Sequence, residues 1–428
     1  MIPSVYLTGD VPGTGGVLKE RPEDFLVEEI PAYEPVGRGE HIYLMVQKTN
    51  IATMPMVNII ARHFGVPVHA VGYAGLKDKV AITRQLISVH TPGKTATDFP
   101  SIQHPKITVL WADQHENKLR RGHLKGNRFS IRVRGVQPGK VTLAKRVLER
   151  LERSGVPNRL GEQRFGFALN NHLVGRAILL GDDAAAVNFL LHPPGETRQT
   201  LDTQRALFRE GKYAEAAALM PDTAETERAV MVALARGATP AKAIASIGHV
   251  QRQFLMSSLQ SAIFNGLLDR RLLGGTFDKL LAGDLAFKHD NGAVFVVDDA
   301  VLADPDTAGR LERIEISPSG AMWGTAMPQV TGASAPLEAA ALAEFGIKPE
   351  DFEAFEKRTG EQVKGERRPL RVPVAYPDYE GGSDEFGPYV RCAFELPPGS
   401  FATVVMREVM KPELAGGTTV GMAEGDER

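Results

Sequence analysis

The chain has 428 residues, with 50 Lys plus Arg against 52 Asp plus Glu and a formal net charge of −2. That length allows two or three domains with a well-buried core, and the near-neutral balance excludes a protein held to nucleic acid by net charge alone. Its single cysteine, Cys392, excludes a disulfide framework and a thiolate metal cluster and suits a reducing compartment.

The N-terminal stretch "MIPSVYLTGDVPGTGG" lacks a basic segment followed by an apolar one, and no apolar run reaches transmembrane length. A cytoplasmic protein with no membrane partner is expected. "GTGG" (13–16) lacks the spacing and the preceding strand of a phosphate loop, and reads as a flexible turn. "DFLVEEI" (24–30) and "HIYLMVQK" (41–48) are short apolar-rich runs that predict strands. "TMPMVNIIARHFG" predicts a helix with Thr53 as N-cap, Pro55 in its first turn and Gly65 as its stop.

The next stretch, "YAGLKDKVAITRQ" (73–85), places Asp78 between Lys77 and Lys79. Gly72 and Gly75 precede it, and bare backbone there lets a ligand approach closely. On these residues alone a surface aspartate is the better reading. "NRFSIRVRG" then alternates, with Phe129, Ile131 and Val133 on one face and Arg128, Ser130, Arg132 and Arg134 on the other. It predicts a half-buried strand with a basic outer face.

That strand ends a longer tract, "KLRRGHLKGNRFSIRVR" (118–134), which carries seven Lys or Arg and no acid. Most charge runs are solvated faces. Seven positives without a local acid on a near-neutral protein nevertheless favour an anionic partner, and Phe129 within the tract favours nucleic acid.

A helix is expected at about Val141–Ser154, ended by Gly155. Beyond "GVPNRLGEQRFG" the texture becomes helical and Ala-rich, and Leu255, Leu259, Ile263 and Leu267 form a four-residue stripe that reads as core. Residues 276–330 are Gly-, Asp- and Val-rich and predict short strands and turns. "VRCAFELPPGSFATVVMREVM" closes the chain as strand, turn and helix, followed by an acidic tail expected to fray. There is no internal repeat. The order mixed α/β, mainly helical, mixed α/β again predicts one domain inserted into another.

Few chemistries find a foothold. The eleven histidines are scattered and no HExxH pair occurs, so no metal is expected. No GxSxG elbow is present, and "GLKDK" lacks the Ser or Thr of a Walker loop. Carboxylates remain: Asp78, and the group in "KERPEDFLVEE".

Five motifs occur in one order: "GTGGVLKERPEDFLVEE", "AGLKDKVAITRQ", "LKGNRFSIRVRG", "GVPNRLGEQRFG" and "LPPGSFATVVMRE". Together they resemble the TruD-type tRNA pseudouridine-13 synthase family of the pseudouridine synthase superfamily. The resemblance covers 1–166 and 373–410, and is weaker across the middle, where "SSLQSAIFN" and "MWG" match.

It implies an α+β fold: a pseudouridine synthase catalytic domain with a mixed, largely antiparallel sheet flanked by helices, interrupted by a family-specific α/β insertion. The expected boundaries are 1–157 and 373–428 for the catalytic domain and 158–372 for the insertion. The implied partner is tRNA, bound by a monomer with no cofactor. The implied reaction turns uridine into pseudouridine after the base leaves its stack.

Residue by residue, Asp78 matches the family's catalytic aspartate, acting as nucleophile at C1′ or as base at C2′; both routes stay open. A dry pocket disfavours a charged carboxylate, so a cation is needed, and Lys19 matches the basic residue of the family motif. If 73–85 is extended, Lys77 and Lys79 point away from Asp78. Phe25, Phe129 and Phe401 match positions lining the uridine pocket, and Asn127 offers an amide donor and acceptor to the uracil edge. Arg128, Arg132, Arg134, Arg159 and Arg164 are the candidates for RNA backbone contact. Arg159 and Leu160 stand where the family commonly carries an aromatic pair, which withdraws a stacking contribution and offers Arg159 to phosphate instead. A non-catalytic RNA-binding protein on the same scaffold is the competing reading.

Overall fold

The computed structural model describes residues 5–166, 168–192 and 201–412. The acidic tail lies outside them. The chain divides into two compact units, one of Tyr6–Val156 with the segment from Val372 onward, the other of Met1–Val5 with Pro157–Arg371.

The first unit is built on an eight-stranded sheet. Its first six strands are β1 (Phe25–Pro31), β2 (His41–Thr49), β3 (Val71–Tyr73), β4 (Ile82–His90), β5 (Ile107–His115) and β6 (Leu124–Arg134). The hairpin Ala375–Asp384/Gly387–Leu396 completes it. Across the sheet the order is Ala375–Asp384, Gly387–Leu396, β6, β1, β4, β2, β5, with β3 attached to β4. Only β1 and β4 pair in parallel, so the sheet is mixed and largely antiparallel.

Helices cover this sheet. Helix α1 (Thr53–Phe64) buries Met56, Val57, Ile60, Ala61 and Phe64, and α2 (Val141–Ser154) buries Ala144, Val147, Leu148 and Leu151. Both sets follow helical periodicity and form one apolar stripe each. With the closing helix Ala402–Met410, α2 packs on Phe25, Val27, Ile131 and Val133. Cys392 belongs to this core, and burial pushes its thiol up to about 12.

Two local expectations are corrected. Thr53 is the first helical residue rather than the N-cap, which is Ala52; its hydroxyl instead accepts the Lys77 N–H at 2.9 Å. "GTGG" is not a loose turn either. A Cβ on Gly13 would sit 2.2 Å from the Met410 carbonyl oxygen, and Gly16, at φ +93°, packs against Val133 and Val136. The N–H groups of Thr14 and Gly15 donate to the carbonyls of Val409 and Met410, tying this segment to the end of the closing helix.

The second unit is helical in its first half, from Asn171–Leu180 to the 25-residue helix His249–Leu273, whose Leu255, Leu259, Ile263 and Leu267 are buried. Its second half holds a four-stranded sheet ordered Glu366–Pro369, Ile316–Met322, Leu285–Lys288, Val294–Val296. Residues 276–330 also contain two short helices, Asp299–Ala303 and Pro305–Glu312, which strand-and-turn composition concealed. Asp298 and Asp304 cap them, accepting from Val301 N and Asp306 N.

Candidate active site

Asp78 lies in the first unit, in a segment (74–81) without regular structure between β3 and β4. The segment is nevertheless held. Lys48, fully buried on β2, donates from Nζ to the carbonyls of Ile51 and Asp78 at 2.7 Å and of Lys77 at 3.4 Å. Burial pushes the Lys48 ammonium down to about 8, with the Asp78 charge opposing that shift. Thr53 and Gln85 add bonds to Lys77 N and Gly75 O.

The Asp78 carboxylate is about one-third exposed, and its Oδ2 lies 3.4 Å from Lys19 Nζ. Lys19 is almost fully buried, and its ammonium stands 4.3 Å from the centroid of the Phe25 ring. An ion pair on one side and an aromatic face on the other fix the cation. Its backbone has φ +55°, a left-handed conformation that costs a residue with a Cβ about 1 kcal/mol or more. The bridge between Val17 and Arg134 and the packed glycines before it hold that conformation.

Phe25 packs edge-on against Phe129 with ring centroids 6.4 Å apart, and Phe129 packs against Phe394 at 5.7 Å. Phe25 therefore forms the apolar surface under Lys19, with Phe129 packed behind it, and both are also core residues. Phe401 is different: it is the N-cap of the closing helix and 44% exposed.

The flanking lysine plays a part that the sequence did not suggest. Lys77 does not pair with Asp78; its Nζ reaches Glu29 Oε2 at 2.7 Å and Asn127 Oδ1 at 2.7 Å. Glu29 is completely buried, and its other oxygen accepts the Leu86 N–H where the β1–β4 ladder has ended. A lysine ammonium can only donate, so this contact assigns the oxygen of Asn127 inward and leaves its amide N–H groups for other partners. Two cues were present in the sequence: Glu29 occupies an inward position of "FLVEE", and Lys48 ends an apolar strand. Gly72 serves packing, not a ligand, since a Cβ there would meet the Leu119 carbonyl oxygen at 2.3 Å.

The five arginine candidates separate. Arg134 is buried and pairs with Asp24 (Nε–Oδ1 2.9 Å) and Asp384 (Nη1–Oδ1 2.6 Å). Arg132 approaches Asp384 at 3.5 Å, and Arg128 pairs with Glu395 at 2.9 Å. By strand alternation Arg128 and Arg132 lie on the opposite face of β6 from Asn127 and Phe129. The basic outer face expected of this strand is thus neutralised by acids that are remote in sequence. In the second unit Arg159 is buried and pairs with both oxygens of Asp269, so it serves the interior instead of offering itself to phosphate. Arg164 lines a cavity of about 290 Å³ in that unit, 5.6 Å from the Phe254 ring centroid.

A family model described as tRNA pseudouridine synthase D (TruD) matches residues 2–409. The chain belongs to the tRNA pseudouridine synthase D family. A family relative from Geobacter sulfurreducens is 42% identical over 410 residues, covering 95% of this chain and 97% of its own. A tRNA pseudouridine synthase D from Thermus thermophilus is 36% identical over 409 residues, covering 95% and 92%. The crystal structure assigned to tRNA pseudouridine synthase D from Methanosarcina mazei superposes with a TM-score of 0.82 at 27% identity, over 95% of this chain and 96% of that one. The α+β fold of the synthase D family is therefore shared along nearly the whole chain. No described helix is long and apolar enough to cross a membrane.

Proposed function

We propose that this protein is a tRNA pseudouridine synthase that isomerises a uridine, position 13 by the family's motif, with Asp78 as the catalytic residue. The observation that carries this reading is the ion pair of Lys19 with the partly exposed Asp78, above the Phe25 ring, in a member of this family. In the reaction the C1′–N1 bond breaks and a C1′–C5 bond forms; C5 loses a proton and N1 gains one. The exchange is internal and calls for no cofactor. Asp78 acts at the sugar, as nucleophile at C1′ or base at C2′. Lys19 balances its charge and aims it.

The unit of Tyr6–Val156 with the C-terminal segment is, on this reading, the catalytic domain, and Pro157–Arg371 is the insertion. The uridine must leave its stack to reach Asp78. Phe25, backed by Phe129, supplies an apolar surface beside the carboxylate, and Phe401 has ring surface free for stacking, an interaction worth about 1–3 kcal/mol per base. Asn127, with its oxygen taken by Lys77, presents N–H donors that match the uracil carbonyls.

The test is pseudouridine mapping on a tRNA transcript incubated with the wild-type protein and with Asp78→Asn. The wild type is expected to modify the transcript and Asp78→Asn to leave it unmodified while remaining folded by circular dichroism at the assay temperature. Pseudouridine formed by Asp78→Asn at the wild-type rate would remove Asp78 from the chemistry.

A further inference from the structure

The basic tract 118–134 is one run in sequence and two different objects in space. Its strand half is spent on carboxylates: Arg128 on Glu395, Arg132 on Asp384, and Arg134 on Asp24 and Asp384. Its first half, the loop 118–123 with the opening residues of β6, Leu124 and Lys125, is not. Among the described residues, Lys118, Arg120, Arg121 and Lys125 have no carboxylate within ion-pair distance, and Arg120, Arg121 and Lys125 are exposed. The nearest acid in sequence, Glu116, is paired with Arg38.

This loop is also fastened to the segment that carries Asp78. The Gly122 N–H donates to the Ala74 carbonyl at 2.8 Å. Arg121 donates to the Tyr73 hydroxyl at 2.8 Å. Leu119 and Ala74 share one small apolar cluster with Tyr43, Met45 and Leu86, and the Leu119 N–H donates to Ser88 Oγ at 3.0 Å. Lys118 is anchored through its Nζ to the His69 carbonyl, immediately before β3. The loop root is thus rigid and its basic tips are free. Concentrating positive charge costs self-repulsion, and no ion pair among the described residues offsets it there. Lys79, exposed one residue beyond Asp78, adds to the same sign.

We propose that residues 118–125, with Arg120 and Lys125 as the principal contacts, form the docking surface for the phosphate backbone flanking the uridine that enters the Asp78 site. The inference rests on the synthase reading for the identity of its RNA. The charge and the anchoring bear on polyanion binding in any case. Phosphate contacts set register and orientation without reading sequence, which is what a site needs when the target base must be presented to a carboxylate a few residues away along the same loop system. The strand arginines then serve the sheet, although they belong to the same run.

The experiment measures binding of an unmodified tRNA transcript to the full-length protein across a salt series. The variants are Arg120→Glu/Lys125→Glu, the neutral pair Arg120→Gln/Lys125→Gln, and Lys357→Glu, an exposed charge in the other unit. The reversed pair is expected to bind about tenfold more weakly. Both pairs should lower the slope of log K against log salt by about 1–2. KM should rise with the dissociation constant. Lys357→Glu should bind as the wild type does. An unchanged salt slope in both pairs, or equal weakening by Lys357→Glu, would overturn the proposal. A wild-type protein that binds the transcript through this loop yet forms no pseudouridine would remove the synthase reading and leave the docking surface standing.

Discussion

The two halves of the basic tract show how little a local charge count says about what a charge does. Residues 118–125 and 126–134 have the same sign, similar density and no intervening acid. Yet Arg134 is buried between Asp24 and Asp384, while Arg120 and Lys125 stand in solvent beside the segment that holds Asp78. The strand half was completed by acids that the sheet delivers: Glu395 lies 267 residues from Arg128, and Asp384 250 residues from Arg134. In the other half Arg120 and Arg121 precede β6, and Lys125 stands at its irregular start opposite Ile30 and Pro31 of β1, which offer no acid. Charge within the regular ladder is answered across it, whereas charge on the loop and at the strand's first residues is left for whatever binds.

The largest expected effect on this contrast is on stability. Arg134→Met would leave Asp24 buried without its partner, and breaking such a pair costs about 3–5 kcal/mol. Chemical denaturation should show that loss, and a variant within about 1 kcal/mol of the wild type would make Arg134 dispensable to the fold. The second largest is the roughly tenfold loss of tRNA affinity expected from reversing Arg120 and Lys125, which should leave the melting temperature alone because both side chains are exposed.

A pH titration sets Arg134 against the anchor beneath the Asp78 segment. The two carboxylates hold the Arg134 guanidinium above its already high ordinary range, so Arg134 does not titrate near neutrality. Lys48, beneath the Asp78 segment, does: burial lowers it from 10.5 to about 8. The folded protein therefore releases this proton before the unfolded chain. The stability cost of the buried charge is present in full below about pH 8 and is relieved as pH rises toward 10.5. Activity should move the other way. A neutral amine offers two N–H donors to the three carbonyls that Lys48 now holds, so the single-turnover rate is expected to fall severalfold above pH 8. A rate that stays flat to pH 9.5 would show that this anchor does not set the position of Asp78.

The smallest effect belongs to Arg128→Gln. The Arg128 side chain is largely exposed in its pair with Glu395, and pairs at the surface contribute about 0–1 kcal/mol. Stability should fall by about 1 kcal/mol at most and tRNA affinity by about twofold at most. A tenfold loss of affinity would return the strand face to the RNA and erase the division between the halves.

Much of the fold was legible because it follows from periodicity. The alternation of β6, the helical stripes of α1 and α2, and the Gly stops at Gly65 and Gly155 are local properties that a chain carries wherever it goes. The two short helices within 299–312 were hidden, since five to eight residues do not complete enough turns to establish a period. Asp78 and Lys19 were nameable from ordered motifs, and in space they meet at 3.4 Å. Glu29 and Lys48 left only the cue of a charge within an apolar strand, and the role of Lys77 left none, because each acts through a partner on another strand or loop.

Local pattern alone marked most of the strands and helices, the family the motifs resemble and the carboxylate of Asp78. Those are matters of local stereochemistry and of residue identity at fixed spacing. Only the tertiary structure decided which cations are spent and which are free, since Coulomb attraction depends on distance through space and ignores distance along the chain. It likewise turned Lys77 from a neighbour of Asp78 into the clamp on Glu29 and Asn127, because backbone geometry aims adjacent side chains in different directions.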